Sequence, residues 1–304
     1  MSSDVEPDAV PPASVSVVIP VYQGAATLEA LIEEIRPLRE PTTTPGGLLY
    51  RIEEVILVWD HGPDSSDEVI ERLATANQWV VPIWLARNFG QHPATVAGMS
   101  SSKGDWVVTL DEDGQHRPSD IGLLLDTAER TGADLVYATP TNPPPHSFFR
   151  NLASRLTKGV VLRALTGPTA VPFHSFRLIS GEHARAVAAF CGPGVYLDVA
   201  LRWVIGVTSG CPLAMRSEGR EATGYNVRRL VSHFWRLVLS SGNRPLRIVS
   251  GLGVLTSVLG LLYSIVLVIE RLRGSTEVQG WTSAIVATLV VGGLVLVCLG
   301  VIAE

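Results

Sequence analysis

Apolar side chains along this chain follow two regimes. Up to about residue 140, short apolar runs alternate with amphipathic stretches. Val15–Val21, Ile52–Trp59, Val80–Leu85, Trp106–Leu110 and Asp134–Ala138 have the β-branched, apolar character of strands. Between them, Ala26–Arg36, Ser66–Asn77, 93–101 and Ser119–Arg130 carry helical spacing. Near-continuous apolar strands separated by helices predict an α/β domain whose mostly parallel sheet is buried on both faces. The proline-rich stretch 139–146 (TPTNPPPH) breaks that regularity. The second regime lies at the C-terminal end, where residues 248–269 and 282–303 each run for 22 positions without a charge. At about 1.5 Å per residue such a run reaches roughly 33 Å, close to a hydrocarbon core of about 30 Å. Neither run has the polar stripe of a soluble surface helix. The pattern predicts two transmembrane helices joined as a hairpin by residues 270–281.

Composition sharpens this division. Only 17% of the 304 residues are charged, against about 25% in an average soluble domain, and the mean hydropathy is +0.28. Residues 246–304 hold three Arg and three Glu, so the whole net charge of −5 belongs to the first 245 residues. An acidic, apolar domain excludes a disordered chain and a general nucleic-acid binder. Cys191, Cys211 and Cys298 are too few and too scattered for a disulfide framework or a zinc site. Residues 1–14, with Asp4, Glu6, Asp8 and several prolines, lack the basic and apolar regions of a signal peptide and are expected to be a flexible tail.

The flanks of the apolar runs suggest an orientation. Residues 222–247 contain five Arg and no acid, whereas the connection 270–281 balances two Arg with two Glu. The positive-inside tendency then places both termini and the domain of residues 15–217 in the cytoplasm, with a basic juxtamembrane region over 218–247. Val227, Leu230, Val231, Phe234 and Val238 fall on one helical face there, with Arg228, Arg229 and Arg236 on the other. That is the pattern of an interfacial amphipathic helix, although an ordinary surface helix has the same signature. Gly251, Gly253, Gly260, Gly292 and Gly293 would let apolar helices approach closely, within the hairpin or in a homo-oligomer.

Candidate chemistry clusters where the predicted strands end: Asp60-His61, Arg87-Asn88 and Asp111-Glu112-Asp113-Gly114-Gln115. Ligands of open parallel sheets bind beyond those carboxyl ends. Carboxylates two apart on an extended segment share a side, so Asp111 and Asp113 can present hard oxygen ligands to Mg²⁺ or Mn²⁺, with Glu112 facing away. Gly114 permits the tight turn that would bring Gln115 to the same centre. A solvated acidic turn would show the same Asp-x-Asp, and Asp60 judged alone is equally well a cap of the following helix.

With these motifs in order, residues 15–138 resemble the catalytic domain of family 2 glycosyltransferases of the GT-A fold. The resemblance is nearest to polyprenyl-phosphate glycosyltransferases of the dolichyl-phosphate-mannose-synthase-like and GtrB-like kinds. The first strand, Val17 to Tyr22, the loop Asp60-His61-Gly62, the segment Arg87 to His92, the Asp111-x-Asp113-x-Gln115 pattern, Ser154-Arg155 and Phe176 to Ser180 carry it, together with the paired apolar runs. It implies a metal-dependent, inverting enzyme that moves one sugar from a UDP- or GDP-sugar to polyprenyl phosphate at a bilayer. It further implies donor-nucleotide contacts from Pro20, Tyr22, Asp60, Arg87, Asp111 and Glu112, and a metal held by Asp111, Asp113 and Gln115. Arg155, Arg177 and Ser180 are implied at the acceptor phosphate, and Asp111, Asp113, Arg155 and Arg177 in catalysis. Guanidinium groups suit that task because they grip phosphate bidentately.

The chain departs from the family pattern at three points. His61 stands where a second Asp is usual, Gly114 where Leu is usual, and Thr223-Gly224-Tyr225 where Ser-Lys-Tyr is usual, which leaves Arg220 or Arg228 to replace the Lys. Asp198 on its apolar stretch is expected to be a paired structural acid, and His92, His146 and His174 show no metal-ligand spacing. A glycosyltransferase with a lipid, glycan or protein acceptor, and a non-catalytic nucleotide-sugar binder, remain the rival readings.

Overall fold

The computed structural model describes residues 11–141, 171–192, 196–216, 244–273 and 281–303. The Ser154-Arg155 motif, the helix expected over residues 148–165, and the basic stretch containing Arg220, Gly224 and Arg228 lie outside the described residues. The chain divides into two compact units, the first of residues 1–156 and 169–231 and the second of 157–168 and 232–304.

The first unit is built on one eight-stranded sheet. Its strands are β1 (Ala13–Val21), β2 (Thr42–Thr43), β3 (Leu49–Trp59), β4 (Val80–Trp84), β5 (Trp106–Thr109), β6 (Leu135–Pro140), β7 (Arg177–Ser180) and β8 (Thr208–Leu213). The order is β2-β3-β1-β5-β7-β6-β8, with β4 also paired to β3. β1 runs parallel to β3 and β5, β3 to β4, and β6 to β8. Among the described residues, only the two-residue β2 and the inserted β7 run against their neighbours. All five strands expected from the apolar runs therefore point the same way. β7 interrupts the parallel order because it returns between β5 and β6, opposing Arg177 to both Thr109 and Tyr137.

Helices cover both faces, as the strand composition requires. Val15, Val17, Ile19 and Val21 pack with Leu28, Leu31 and Ile32 of α1 (Leu28–Ile35), and with Val69 and Ile70 of α2 (Ser66–Ala76). α4 (Ile121–Thr131) lies in the same layer. On the opposite face Val18, Ile56 and Val58 meet Ala94 and Met99 of α3 (Gln91–Ser101). Ala184 and Val187 of α5 (Gly181–Phe190) and Leu197, Ala200 and Leu201 of α6 (Leu197–Val204) complete that layer. A Cβ on Gly98 would come within 2.3 Å of Val18, so glycine there lets α3 sit close on the sheet. The alternation along β1 is thus what buries both faces.

In the second unit, α7 (Arg244–Leu272) and α8 (Trp281–Ala303) contain the two charge-free runs. Among the described residues, no helix is long and apolar enough to cross a membrane. The two helices pack through small residues: a Cβ on Gly293 would meet Ser257 Oγ at 2.8 Å, and one on Gly260 would meet Leu289 at 3.3 Å. Gly251 and Gly292 have no neighbour within 4 Å of that position. Most other described apolar side chains of the pair face outward, among them Leu255, Leu259, Leu262, Val291 and Leu294.

Candidate active site

Four parallel strands deliver their carboxyl ends to one edge: Val21 of β1, Trp59 of β3, Trp84 of β4 and Thr109 of β5. The chain leaves β5 through Leu110 into the acidic loop, where Gly114 adopts φ 73°. That left-handed conformation is strained for any side chain, which accounts for glycine in place of a larger residue. The turn folds Gln115 back on Asp113: its backbone N–H donates to Asp113 Oδ1 at 3.0 Å and its Nε2 to Oδ2 at 2.9 Å. The Gln115 carbonyl oxygen is then the atom of that amide able to ligate a cation beside Asp113.

Asp111 occupies the centre of the edge. Its Oδ1 accepts from Gln91 Nε2 at 2.6 Å, and its Oδ2 accepts from Ser175 Oγ. Burial raises its pKa above the usual carboxylate value, against the opposing pull of the Ser175 hydrogen bond. Both of those donors are neutral, so the carboxylate is desolvated with its charge only partly compensated. His116 and His174 stand beside it, their rings 5.3 Å apart. His116 Nδ1 accepts the Asp111 N–H at 3.2 Å, and His174 Nδ1 accepts the Phe176 N–H at 3.1 Å. Burial depresses both imidazoles to about 4, so both are neutral at pH 7 with the proton on Nε2.

Among the described residues, no three His, Cys, Asp or Glu side chains converge as a metal cluster. Two carboxylates and an amide oxygen nevertheless make a hard donor set that suits Mg²⁺ or Mn²⁺. The desolvated Asp111 charge is what a divalent cation would complement. The two imidazoles suit it less, because their Nδ1 lone pairs are committed to backbone N–H groups and their Nε2 atoms carry protons.

Glu112 points away from this centre, toward the β1 loop, as the alternation predicts. Its carboxylate accepts the backbone N–H groups of Tyr22 at 2.8 Å and Gln23 at 3.0 Å, tying the β5 loop to the β1 loop. Asp60 is likewise buried rather than presented. Its Oδ1 accepts from the Phe89 N–H at 2.7 Å and its Oδ2 from the Gly90 N–H at 2.8 Å, so it clamps the Arg87–Gly90 loop onto the end of β3. Burial raises its pKa despite those two bonds. Tyr22 and Arg87 do lie exposed on the rim, Arg87 with its guanidinium 4.8 Å from the Phe89 ring, and Pro20 is half-buried two residues before Tyr22, within β1.

The expected acceptor residues separate. Arg177 is buried inside the sheet, with Nε donating to Thr109 Oγ1 at 3.1 Å and Nη1 paired to Asp198 Oδ1. Tyr137 OH donates to the same Asp198 oxygen at 3.0 Å. Asp198 is thus a paired structural acid, with Arg177 and Tyr137 as its partners. Ser180 is opposite Trp106, at the amino end of β5, and precedes α5. It faces the edge away from Asp111, because β7 runs antiparallel and carries its two ends in opposite directions. Arg155 lies outside the described residues. Gln91, Ser175 and His116 join the site without having been singled out. Gln91 had a signal, since it follows Gly90 at a strand end and opens a helix. Ser175 had none, since its approach to Asp111 depends on the return of β7.

Comparison with known proteins fits this geometry. The chain is 30% identical over 268 residues, 88% of its length and 79% of the relative's, to undecaprenyl-phosphate 4-deoxy-4-formamido-L-arabinose transferase of Yersinia pestis (strain Pestoides F). The same transferase of Yersinia pseudotuberculosis serotype O:3 matches equally. Among solved structures, glucosyl-3-phosphoglycerate synthase from Mycobacterium tuberculosis in complex with Mn²⁺, UDP-glucose and phosphoglyceric acid shares the fold. It is 19% identical, with a TM-score of 0.52 over 75% of this chain and 80% of that one. Residues 16–186 match the model of glycosyl transferase family 2, and the chain belongs to that family.

Proposed function

We propose that this glycosyltransferase moves one sugar from a UDP- or GDP-sugar to polyprenyl phosphate, with inversion, at the cytoplasmic face of a membrane. The observation that carries the reading is the desolvated Asp111 held beside Asp113 and Gln115 at the strand ends. The similarity to an undecaprenyl-phosphate transferase supports the acceptor. Asp111, Asp113 and Gln115 would hold Mg²⁺ or Mn²⁺, which supplies Lewis-acid stabilisation of the departing nucleoside diphosphate. Glu112 and Asp60 keep the three loops of the donor pocket in register. An acceptor phosphate oxygen attacks the anomeric carbon, the new C–O bond forms as the bond to the diphosphate breaks, and the nucleoside diphosphate leaves with the electron pair. A phosphate oxygen is already a nucleophile at neutral pH, so the site needs no strong general base.

The two charge-free runs of the sequence and the outward-facing Leu and Val side chains of α7 and α8 support anchoring at a bilayer. The burial of Arg177 against Asp198 favours a second reading in which the acceptor is not a phosphate. Purified protein in detergent should release nucleoside diphosphate only when donor, divalent cation and polyprenyl phosphate are all present. Equal release with the dephosphorylated lipid would favour the second reading, and no release across a donor panel would refute both.

A further inference from the structure

Two elements far apart in sequence hold Asp111, one on each carboxylate oxygen. Gln91, the first residue of α3, donates from Nε2 to Oδ1 at 2.6 Å, and Ser175, two residues before β7, donates from Oγ to Oδ2. Each oxygen thus spends one lone pair on a neutral donor and keeps one. The two donors are mounted differently. Gln91 reaches across on a long side chain, whereas the Ser175 hydroxyl stands one carbon from a backbone pinned on several sides. Thr109 Oγ1, at the end of β5, donates to the Ser175 carbonyl and accepts from Arg177 Nε at 3.1 Å. His174 Nδ1 accepts the Phe176 N–H at 3.1 Å, and the Phe176 carbonyl accepts the Ala138 N–H at 3.0 Å. The Phe176 ring stacks on His116 with centroids 4.9 Å apart. None of these contacts uses the Ser175 hydroxyl, so the entry into β7 forms without it, and the hydroxyl is left to Asp111.

We propose that Ser175 is a positioning residue for Asp111, its hydroxyl fixing the plane in which the carboxylate offers its remaining lone pairs to a divalent cation. This role rests on the metal site proposed above. The terminal torsion of an aspartate is soft, so the Gln91 amide on one oxygen fixes a point and leaves the plane free to turn. A second donor on the other oxygen removes that freedom. It does so rigidly only if its own backbone is fixed, as that of Ser175 is through Thr109 and Phe176. Carboxylates that ligate metals are themselves hydrogen-bonded, and loss of such a partner lowers metal affinity by about 10–100-fold.

The test uses the full chain in detergent, titrated with Mn²⁺ and followed by the electron paramagnetic resonance signal of the free ion. Thermal melts without metal are recorded alongside. Ser175→Ala should weaken Mn²⁺ binding about tenfold, with a metal-free Tm close to that of the unsubstituted protein. Ser175→Thr and Ser175→Val form a matched pair of similar bulk, with and without the hydroxyl. The threonine variant should bind Mn²⁺ about tenfold more tightly than the valine variant, which keeps the test decisive if alanine disturbs the segment. Mn²⁺ affinity unchanged or tighter in Ser175→Ala, or equal in the threonine and valine variants, would overturn the positioning role while leaving the metal site standing. Failure of the unsubstituted protein to bind Mn²⁺ would overturn both.

Discussion

Glu112 and Tyr22 join the two loops that frame the site: the carboxylate from the end of β5 accepts the backbone N–H at the end of β1 at 2.8 Å. The next amide, Gln23, donates to the same carboxylate at 3.0 Å, and Thr27 Oγ1 donates to the Glu112 carbonyl at 2.5 Å. An acid at this place in the acidic loop ties two strand ends together, while its two neighbours Asp111 and Asp113 are the carboxylates proposed to hold the metal.

Removing that link should loosen the pocket more than the protein. Hydrogen bonds to a charged acceptor contribute about 1.5–3 kcal/mol when well shielded, and these are partly exposed, so Glu112→Ala should cost about 1–2 kcal/mol in urea unfolding. The KM for the donor should rise by about tenfold or more. A change in kcat alone, with KM untouched, would contradict a framing role.

Arg177 and Asp198 make the opposite case, an interaction deep in the sheet whose loss should appear first in stability. Deleting one member leaves the other buried and unpaired, which typically costs about 3–5 kcal/mol. Asp198→Ala should therefore destabilise strongly, because Arg177 and the Tyr137 hydroxyl both lose their acceptor. Arg177→Met together with Asp198→Leu should recover much of that loss. If Arg177→Met instead left melting unchanged and raised only the KM for lipid phosphate, the arginine would be an acceptor contact after all.

The pH dependence of stability should carry the mark of His116 and His174. Both imidazoles titrate near 4 in the fold because they are buried, against about 6.5 in the unfolded chain. Between those values the unfolded state binds more protons, so their contribution is fully present above about 6.5 and is lost as pH falls toward 4. A shift of this size corresponds to at most about 3 kcal/mol per ring. Asp111 works in the other sense, since its raised pKa makes its ionisation destabilising as pH rises. Thermal melts should show a fall in Tm from pH 6.5 to 4 that is reduced in His116→Gln, and Mn²⁺ should raise Tm more at pH 7 than at pH 5. A flat profile in the unsubstituted protein would rule out buried neutral rings.

Much of this was legible in the order of residues, for identifiable reasons. Alternation in β1 gave both faces of the sheet, and the Asp111-x-Asp113 spacing gave two carboxylates on one side with Glu112 on the other. What stayed hidden depends on contacts distant in sequence. β7 is four residues long and enters between β5 and β6 against their direction, so nothing local announced that Arg177 would meet Asp198 or that Ser175 would reach Asp111. Asp60 is a donor contact by family resemblance and a helix cap by local pattern, and neither reading foresees its clamp on the Phe89 and Gly90 amides. Its two amide partners lie 29 and 30 positions away, on the loop that β4 delivers beside it.

Arg216 offers a last test of how the acidic loop proposed to hold the metal is braced. It is the final described residue before the basic stretch. Its guanidinium forks onto Glu34 of α1, with Nη1 and Nη2 each 2.9 Å from a carboxylate oxygen. Its backbone N–H donates to the Gln115 carbonyl at 3.1 Å, and Nη1 lies 3.5 Å from the Gly114 carbonyl. One residue thus braces the Gly114–Gln115 turn against α1. The pair is over a third exposed, and ion pairs of that kind contribute only about 0–1 kcal/mol to stability. Glu34→Gln should therefore move the unfolding midpoint little. It should still weaken Mn²⁺ binding about threefold or more, because the turn that presents Gln115 beside Asp113 loses its brace. Arg216→Lys should behave in the same way, since an ammonium cannot reproduce the two-point fork. A large stability loss with unchanged Mn²⁺ affinity would show that the fork serves α1 rather than the loop.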